Sequence, residues 1–287
     1  MNHQKVRLVA GLYFVATPIG TARDITLRAL DVLASVDVIA AEDTRSMRRL
    51  LDIHAVPLGD RPLLAYHDHN GDAVRPRLLQ FLEQGMSVAY ASEAGMPLIA
   101  DPGFVLSRSA SDAGYLVTVA PGPSAVLTAL ALAGLPTDAF FFAGFLPNSK
   151  GARRSGLAAV RDVPGTLVFY ESPKRVAAML EDATQVFGAE RKAAVCRELT
   201  KKFEEVRRGT LGELATELAD VRLKGEIVVV IDRGRSASVS NRDIELDLKR
   251  ALGEMSVKDA ADLVSQAHGL PRRQVYQLAL KLGKGTA

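Results

Sequence analysis

Tryptophan is absent from this chain and cysteine occurs once, at Cys196. A disulfide framework and a cysteine-built zinc site are both excluded, and a reducing cytoplasm is the expected setting. Long hydrophobic runs are missing too. The longest, Ala125–Leu135, is broken by Pro136 and Asp138 before it could span a bilayer. Lys5 and Arg7 precede Leu8–Ala16 as basic residues precede a signal peptide, but Gly11 interrupts the run and no cleavage segment follows, so the stretch reads as a first strand. Nucleotide fingerprints are lacking: no Gly-x-Gly-x-x-Gly follows that strand, and no Walker-type Gly-x-x-x-x-Gly-Lys-Ser/Thr occurs anywhere. Nicotinamide chemistry and phosphoryl transfer from ATP lose their best evidence. Ser92, Ser124 and Ser172 stand outside the Gly-x-Ser-x-Gly context of an elbow nucleophile. His67, Asp68 and His69 could ligate a metal, yet no second ligand cluster accompanies them, and no metal is expected.

What is present suits a soluble globular protein of two domains or more, with 287 residues, 48% hydrophobic and 24% charged. The net charge of +3 is mild, so the position of the charges matters more than their sum. Basic residues gather in three places: Lys150, Arg153 and Arg154; Arg191, Lys192, Arg197, Lys201, Lys202, Arg207 and Arg208, diluted by three glutamates; and an acid-free tail with Arg272, Arg273, Lys281 and Lys284. Any one of these reads as a solvated face, but together they lean toward a phosphate-bearing partner.

Hydrophobic alternation predicts strands at Leu8–Thr17, Val36–Ala41, Leu63–Tyr66, Ser87–Ala91 and Leu116–Ala120, with helices between them. The first helix is expected to be capped by Asp24, the second runs through Met47, Leu50 and Leu51, and the third covers Asp72–Gln84. That order predicts a parallel-rich sheet with helices on both faces, its loops gathered along one edge. The loop Ser92–Gly103, full of small residues, proline and glycine, would let a ligand approach its backbone. A second α/β or α+β set follows, with strands at Phe140–Phe145, Thr166–Tyr170, Ala193–Cys196, Val206–Thr210 and Ile227–Ile231. Helices are expected at Arg153–Val160, Val176–Phe187 and Leu211–Leu218. After a linker at Arg233–Asn241 come three short helices, Leu246–Met255, Val257–His268 and Arg272–Leu282. The turn Gly269-Leu270-Pro271 makes the last two either a helix-turn-helix unit or a plain helical hairpin. The expected domains are 1–135, 136–234 and 242–287.

Several stretches, taken in order, resemble one family. Thr17-Pro18-Ile19-Gly20, Ala41-Glu42-Asp43-Thr44-Arg45, Tyr66–Asn70, Ser92–Gly103, Pro121–Ala125, Gly144–Pro147, Phe169–Pro173, Arg197–Lys201 and Lys224-Gly225-Glu226 together resemble the tetrapyrrole-methylase superfamily, in its ribosomal RNA small subunit methyltransferase I branch. The family's loop usually reads Ser-Asp-Ala-Gly-Thr-Pro, and here Glu93 and Met96 replace its aspartate and threonine.

The resemblance implies two α/β domains with S-adenosylmethionine in the cleft between them, a homodimer, and methylation of a cytidine ribose 2′-oxygen in the decoding region of 16S ribosomal RNA. It implies cofactor contacts from Pro18, Ser92, Glu93, Ala94, Gly95, Met96, Ile99, Gly122, Ser124, Ala125, Phe145, Leu146, Tyr170, Gly225 and Glu226. Glu42, Asp43 and Arg45, at a strand end on the predicted site edge, suit a proton acceptor beside a phosphate-binding guanidinium; an N-cap with a structural ion pair is the alternative. Lys150, Arg153, Arg154, Lys201, Arg272 and Arg273 are the expected RNA contacts. Two other functions stay open: the same fold acting on a tetrapyrrole precursor, and a non-enzymatic RNA-binding assembly factor with a degenerate cofactor pocket.

Overall fold

A computed structural model describes residues 3–100, 103–234, 241–268 and 270–283. Asp101 and Pro102 of the small-residue loop, 235–240 of the expected linker, Gly269 of the expected turn and Lys284 lie outside the described residues. The chain forms two compact units, Met1–Val160 with Gly165–Asp232, and Arg161–Pro164 with Arg233–Ala287. Both sheets belong to the first.

The first sheet holds β1 (Gly11–Val15), β2 (Val38–Ala41), β3 (Leu63–Ala65), β4 (Ser87–Ala91) and β5 (Val117–Ala120), in the order β3-β2-β4-β1-β5. Every pairing in it is parallel. Both faces are covered, which is why β1 and β4 read as unbroken apolar runs and are buried throughout. Tyr13, Val15, Ile39 and Ala89 turn toward α1 (Leu27–Ser35) and α2 (Thr44–Ile53). Leu12, Phe14, Val38 and Tyr90 turn toward α3 (Gly71–Glu83) and α4 (Phe104–Asp112). The α1 cap is Thr26, whose side chain accepts the Ala29 N–H at 3.1 Å; Asp24 instead closes a 3-10 turn, Ala22–Asp24. Helix α4 has no counterpart among the sequence expectations.

The second sheet orders β6 (Phe140–Phe145), β7 (Thr166–Glu171), β8 (Lys192–Arg197), β9 (Glu205–Thr210) and β10 (Ile227–Ile231) as β6-β7-β10-β8-β9. Only β6 and β7 run parallel; the other pairings are antiparallel. Helix α5 (Ala125–Ala133), capped by Ser124 and stopped by Gly134 in the left-handed region (φ 71°), packs Val126, Ala129 and Leu130 against Val168, Ala194, Cys196 and Val228. A helix that follows β5 therefore covers the second sheet and ties the two together. Helices α6 (Lys150–Ala159), α7 (Val176–Phe187) and α8 (Leu211–Leu218) lie side by side, α8 resting on β8 and β9.

In the other unit α9 (Asn241–Leu252), α10 (Val257–His268) and α11 (Arg272–Gly283) enclose their own core of Leu248, Ala260, Ala261, Val264, Val275 and Ala279. No helix among the described residues is long and apolar enough to cross a membrane.

Candidate functional site

The loops after β1, β2, β4 and β5 leave the carboxyl ends of a parallel sheet, where α/β proteins bind ligands. Two of them are stitched together. Thr17 and Gly95 exchange N–H···O bonds of 3.0 Å in both directions, and the buried Thr17 hydroxyl donates to the Ser92 carbonyl at 3.2 Å. The buried Ser92 hydroxyl donates to the Gly95 carbonyl at 2.8 Å, which turns the loop tightly. Gly95 has φ +86°, and a Cβ there would meet Ile19 Cγ2 at 3.2 Å. Leu98 and Ala100, further along, also hold positive φ, a strain tolerated mainly at ligand loops.

Against these loops the second sheet closes a cleft of about 670 Å³, a volume suited to a nucleoside-sized ligand. The first sheet contributes Pro18, Ile19, Gly20, Glu42, Ser46, Glu93, Ala94, Gly95, Met96, Ile99, Ser124 and Ala125 to its wall. From the second come Phe145, the run Tyr170–Pro173, Lys201, and the run Gly225–Val228. Phe145 and Tyr170 stand edge to face at 5.5 Å, and burial, then the Glu226 charge, pushes the Tyr170 phenol up.

Charge in the cleft is mostly negative: Glu42, Glu93, Glu171 and Glu226 line it, with Lys201 as the cation. The Lys201 ammonium donates to Glu198 and Glu226, each at 2.9 Å; burial disfavours its charge, but these carboxylates outweigh that and raise its pKa. Gly225 (φ +90°) makes this possible, because a Cβ there would come within 2.3 Å of the Glu198 carboxyl. A Cβ on Gly20 would likewise press Thr200 Oγ1 at 2.4 Å, so the turn Glu198–Lys201 sits directly on the loop after β1.

Glu171 was expected only as part of a matched stretch, yet it is the most confined carboxylate here. Its side chain is 1% exposed, Oε1 accepts the Ser172 N–H at 2.7 Å and lies 3.2 Å from Arg175 Nε, and Oε2 has no hydrogen-bond partner among the described residues. Burial pushes its pKa up against the opposing pull of Ser172, Arg175 and Arg153. Arg175 in turn donates to the Leu146 carbonyl at 2.6 Å and to Asn148 Oδ1 at 2.5 Å, which fixes the loop behind Phe145.

Not every expected site residue reaches the cleft. Ser92, Gly122 and Leu146 lie behind its wall: Ser92 braces the loop, Leu146 is buried, and a Gly122 Cβ would crowd Ala16 Cβ at 3.0 Å. Of Glu42, Asp43 and Arg45 only Glu42 faces it, its Oε2 accepting the Glu93 N–H at 3.1 Å. Asp43 caps α2 instead, accepting from Arg45 N at 2.7 Å and Ser46 N at 3.4 Å. The Arg45 backbone bond, then its guanidinium, lowers the Asp43 pKa. The Arg45 side chain points outward, 92% exposed.

The expected RNA contacts divide in the same way. Arg153 is buried and held by Asp182, with Nε 2.8 Å and Nη2 2.7 Å from that carboxylate, which leaves its guanidinium engaged inside the fold. Arg154 shares Asp182 at 2.7 Å but stays 42% exposed, and Lys150 is exposed 4.0 Å from Glu181. In the helical unit Arg272 pairs with Asp262, while Arg273 is exposed. The rings of His67 and His69 are 6.0 Å apart, and no group of three or more metal-ligating side chains occurs among the described residues.

Comparison with known proteins agrees with this arrangement. Residues 11–215 match the family described as Tetrapyrrole (Corrin/Porphyrin) Methylases, and residues 240–283 the RsmI C-terminal HTH domain. A relative named Ribosomal RNA small subunit methyltransferase I, from Mesorhizobium japonicum, is 46% identical over 96% of this chain and 93% of its own. One of the same name from Escherichia coli O157:H7 is 42% identical over 94% of each. Among solved structures, a uroporphyrin-III C-methyltransferase from Thermus thermophilus, complexed with S-adenosylhomocysteine, has the same fold at 19% identity. Its TM-score is 0.53, over 80% of this chain and 99% of that one.

Proposed function

This chain belongs to the tetrapyrrole methylase family, in its ribosomal RNA small subunit methyltransferase I group, and from that premise we propose that it methylates the ribose 2′-oxygen of a cytidine in the decoding region of 16S ribosomal RNA. The methyl donor is S-adenosylmethionine. The observation that carries the reading is the cleft itself: a nucleoside-sized space at the parallel sheet's carboxyl edge, with Gly95 clearing its wall and four carboxylates facing it. Such a lining suits a ligand with a net positive charge and repels a phosphate chain.

When bound, S-adenosylmethionine supplies a methyl group already activated by its sulfonium sulfur. What remains for this chain is to hold the reactants in line, keep water out and accept the hydroxyl proton. The Gly95 loop and the Phe145 and Tyr170 rings do the holding. Glu42, oriented by the Glu93 N–H, accepts the proton. Asp43, committed to its helix cap, keeps the turn beneath it in place. We also assign the protein to the cytoplasm, working as a homodimer.

The test is methyl transfer to small ribosomal subunits from cells lacking this protein, with the product mapped by mass spectrometry. One added methyl on a cytidine ribose is expected, and Glu42→Gln should lower the single-turnover rate by about 10²-fold or more. Transfer to a base, or to a uroporphyrin-type tetrapyrrole instead of RNA, would overturn the assignment.

A further inference from the structure

The acidic cleft raises a question about the path of the RNA. A ribose hydroxyl has to enter a space lined by Glu42, Glu93, Glu171 and Glu226, yet the phosphates on either side of it are repelled there. The basic residues expected to hold them are largely engaged elsewhere. Arg153 is buried on Asp182, and Lys201 is neutralised by Glu198 and Glu226. Arg197 and Arg207 share Glu205.

Helix α2 offers what these lack. It starts at the cleft, where Glu42 precedes its cap and Ser46 lines the wall. Met47 and Leu51 bury one side of it against the first sheet, which turns Arg45, Arg48 and Arg49 outward within about 100° of arc. All three are exposed. Arg45 has only its loose 3.4 Å contact with Asp43, and no carboxylate lies within ion-pair distance of Arg48 or Arg49 among the described residues. Asp52 on the last turn is the one acid sharing the face, and no ion pair joins it to them.

Resting on the reading above, we infer that Arg45, Arg48 and Arg49 form a ridge that docks the phosphate backbone of the RNA strand next to the target nucleotide. The ridge holds the chain at the rim while the cleft admits only the ribose. Electrostatics then sorts one substrate into two environments, phosphates on arginine outside and hydroxyl beside carboxylate inside. Arginine suits the outer task, since its fork binds phosphate oxygens in pairs.

The experiment measures binding of small ribosomal subunits across a salt series for the full chain, for Arg48→Gln/Arg49→Gln, and for Arg77→Gln/Arg108→Gln as a control. The control pair lies on α3 and α4, across the first sheet from α2. Removing two phosphate contacts should weaken binding by about tenfold and flatten the slope of log affinity against log salt by about 1.4, at roughly 0.7 per contact. Calorimetric S-adenosylmethionine affinity and the rate at saturating subunits should stay at the unaltered values, while KM for subunits rises. A slope equal to that of the unaltered chain, or an equal loss in the control, would overturn the ridge. So would a change of oligomeric state in the Arg48/Arg49 variant, which would make the face a contact between copies. Normal methylation with an unchanged slope sinks the ridge alone. No methylation by the unaltered chain sinks the function and the ridge together.

Discussion

The two sheets build opposite halves of one cleft by different means. Where the parallel strands end, Pro18, Gly20, Ala94, Gly95 and Ala125, residues with little side chain, share the wall with Glu42, Glu93, Met96 and Ile99, and the loop geometry is carried by backbone bonds such as the Thr17–Gly95 pair. On the mixed sheet the wall is Phe145, Tyr170, Glu171, Lys201 and Glu226, and charged side chains hold it in place through Glu198, Arg175 and Asn148. The shape of the first half should therefore fail when atoms are added to its loops, and that of the second when charges are removed.

The hardest test of that contrast is Asp182→Ala. It leaves the buried Arg153 guanidinium without a counterion, a loss of about 3–5 kcal/mol that denaturant unfolding should report. Burial would raise the Asp182 pKa, but hydrogen bonds from Arg154 and Arg153 outweigh it and hold the carboxyl below its ordinary range. Its contribution is therefore full above about pH 4, the unfolded value, and is lost as pH falls through the lower folded one. The variant should lack that acid-side loss.

Gly95→Val is the matching test of the first half. It forces a β-branched residue to φ +86° at about 1–2 kcal/mol and pushes a Cβ toward Ile19, so calorimetric S-adenosylmethionine affinity should fall by more than about tenfold. An unchanged affinity would mean that the loop yields and that backbone does not set this wall.

Glu171→Gln should have the smallest effect and sharpens the contrast within the second sheet. Burial raises the Glu171 pKa, so its ionisation costs stability as pH rises from about 4.3 through the folded value. The neutral amide avoids that cost. At pH 7 the variant should unfold within about 1 kcal/mol of the original, with the difference moving in its favour as pH increases from 4 to 7. A loss like that of Asp182→Ala would show that the Arg175 contact dominates.

How much of this was legible in the sequence follows from the reach of each signal. Strands buried on both faces, such as Ser87–Ala91, show as apolar runs between turn residues, and β4 and β10 keep the boundaries expected of them, as does the more exposed edge strand β6. Helix α4 does not show, since only Leu106 and Ala110 of it are buried and Phe104 and Val105 face solvent. Ala125–Ala133 is apolar on every side, so no helical period marks it; its register comes from the second sheet. The loops of the cleft are legible because proline and glycine write backbone geometry into the sequence. Charges are not. A string of letters counts Arg153 as basic surface and cannot see Asp182, which meets it only after folding, nor that Arg48 and Arg49 have no ion-pair partner among the described residues.

The strand order also bears on synthesis. β1 pairs with β4 and β5, Leu12 aligning with Val88 on one side and with Val117 on the other, so its neighbours are made long after it. At the roughly 5–20 residues per second of a translating ribosome, Gly11–Val15 waits about 4–15 seconds for its first partner strand. An apolar segment is thus left without its sheet while the intervening chain emerges. The order that brings the loops of β1 and β4 together at the cleft therefore makes this half slow to complete, and fragments ending before Ala120 would lack a complete sheet.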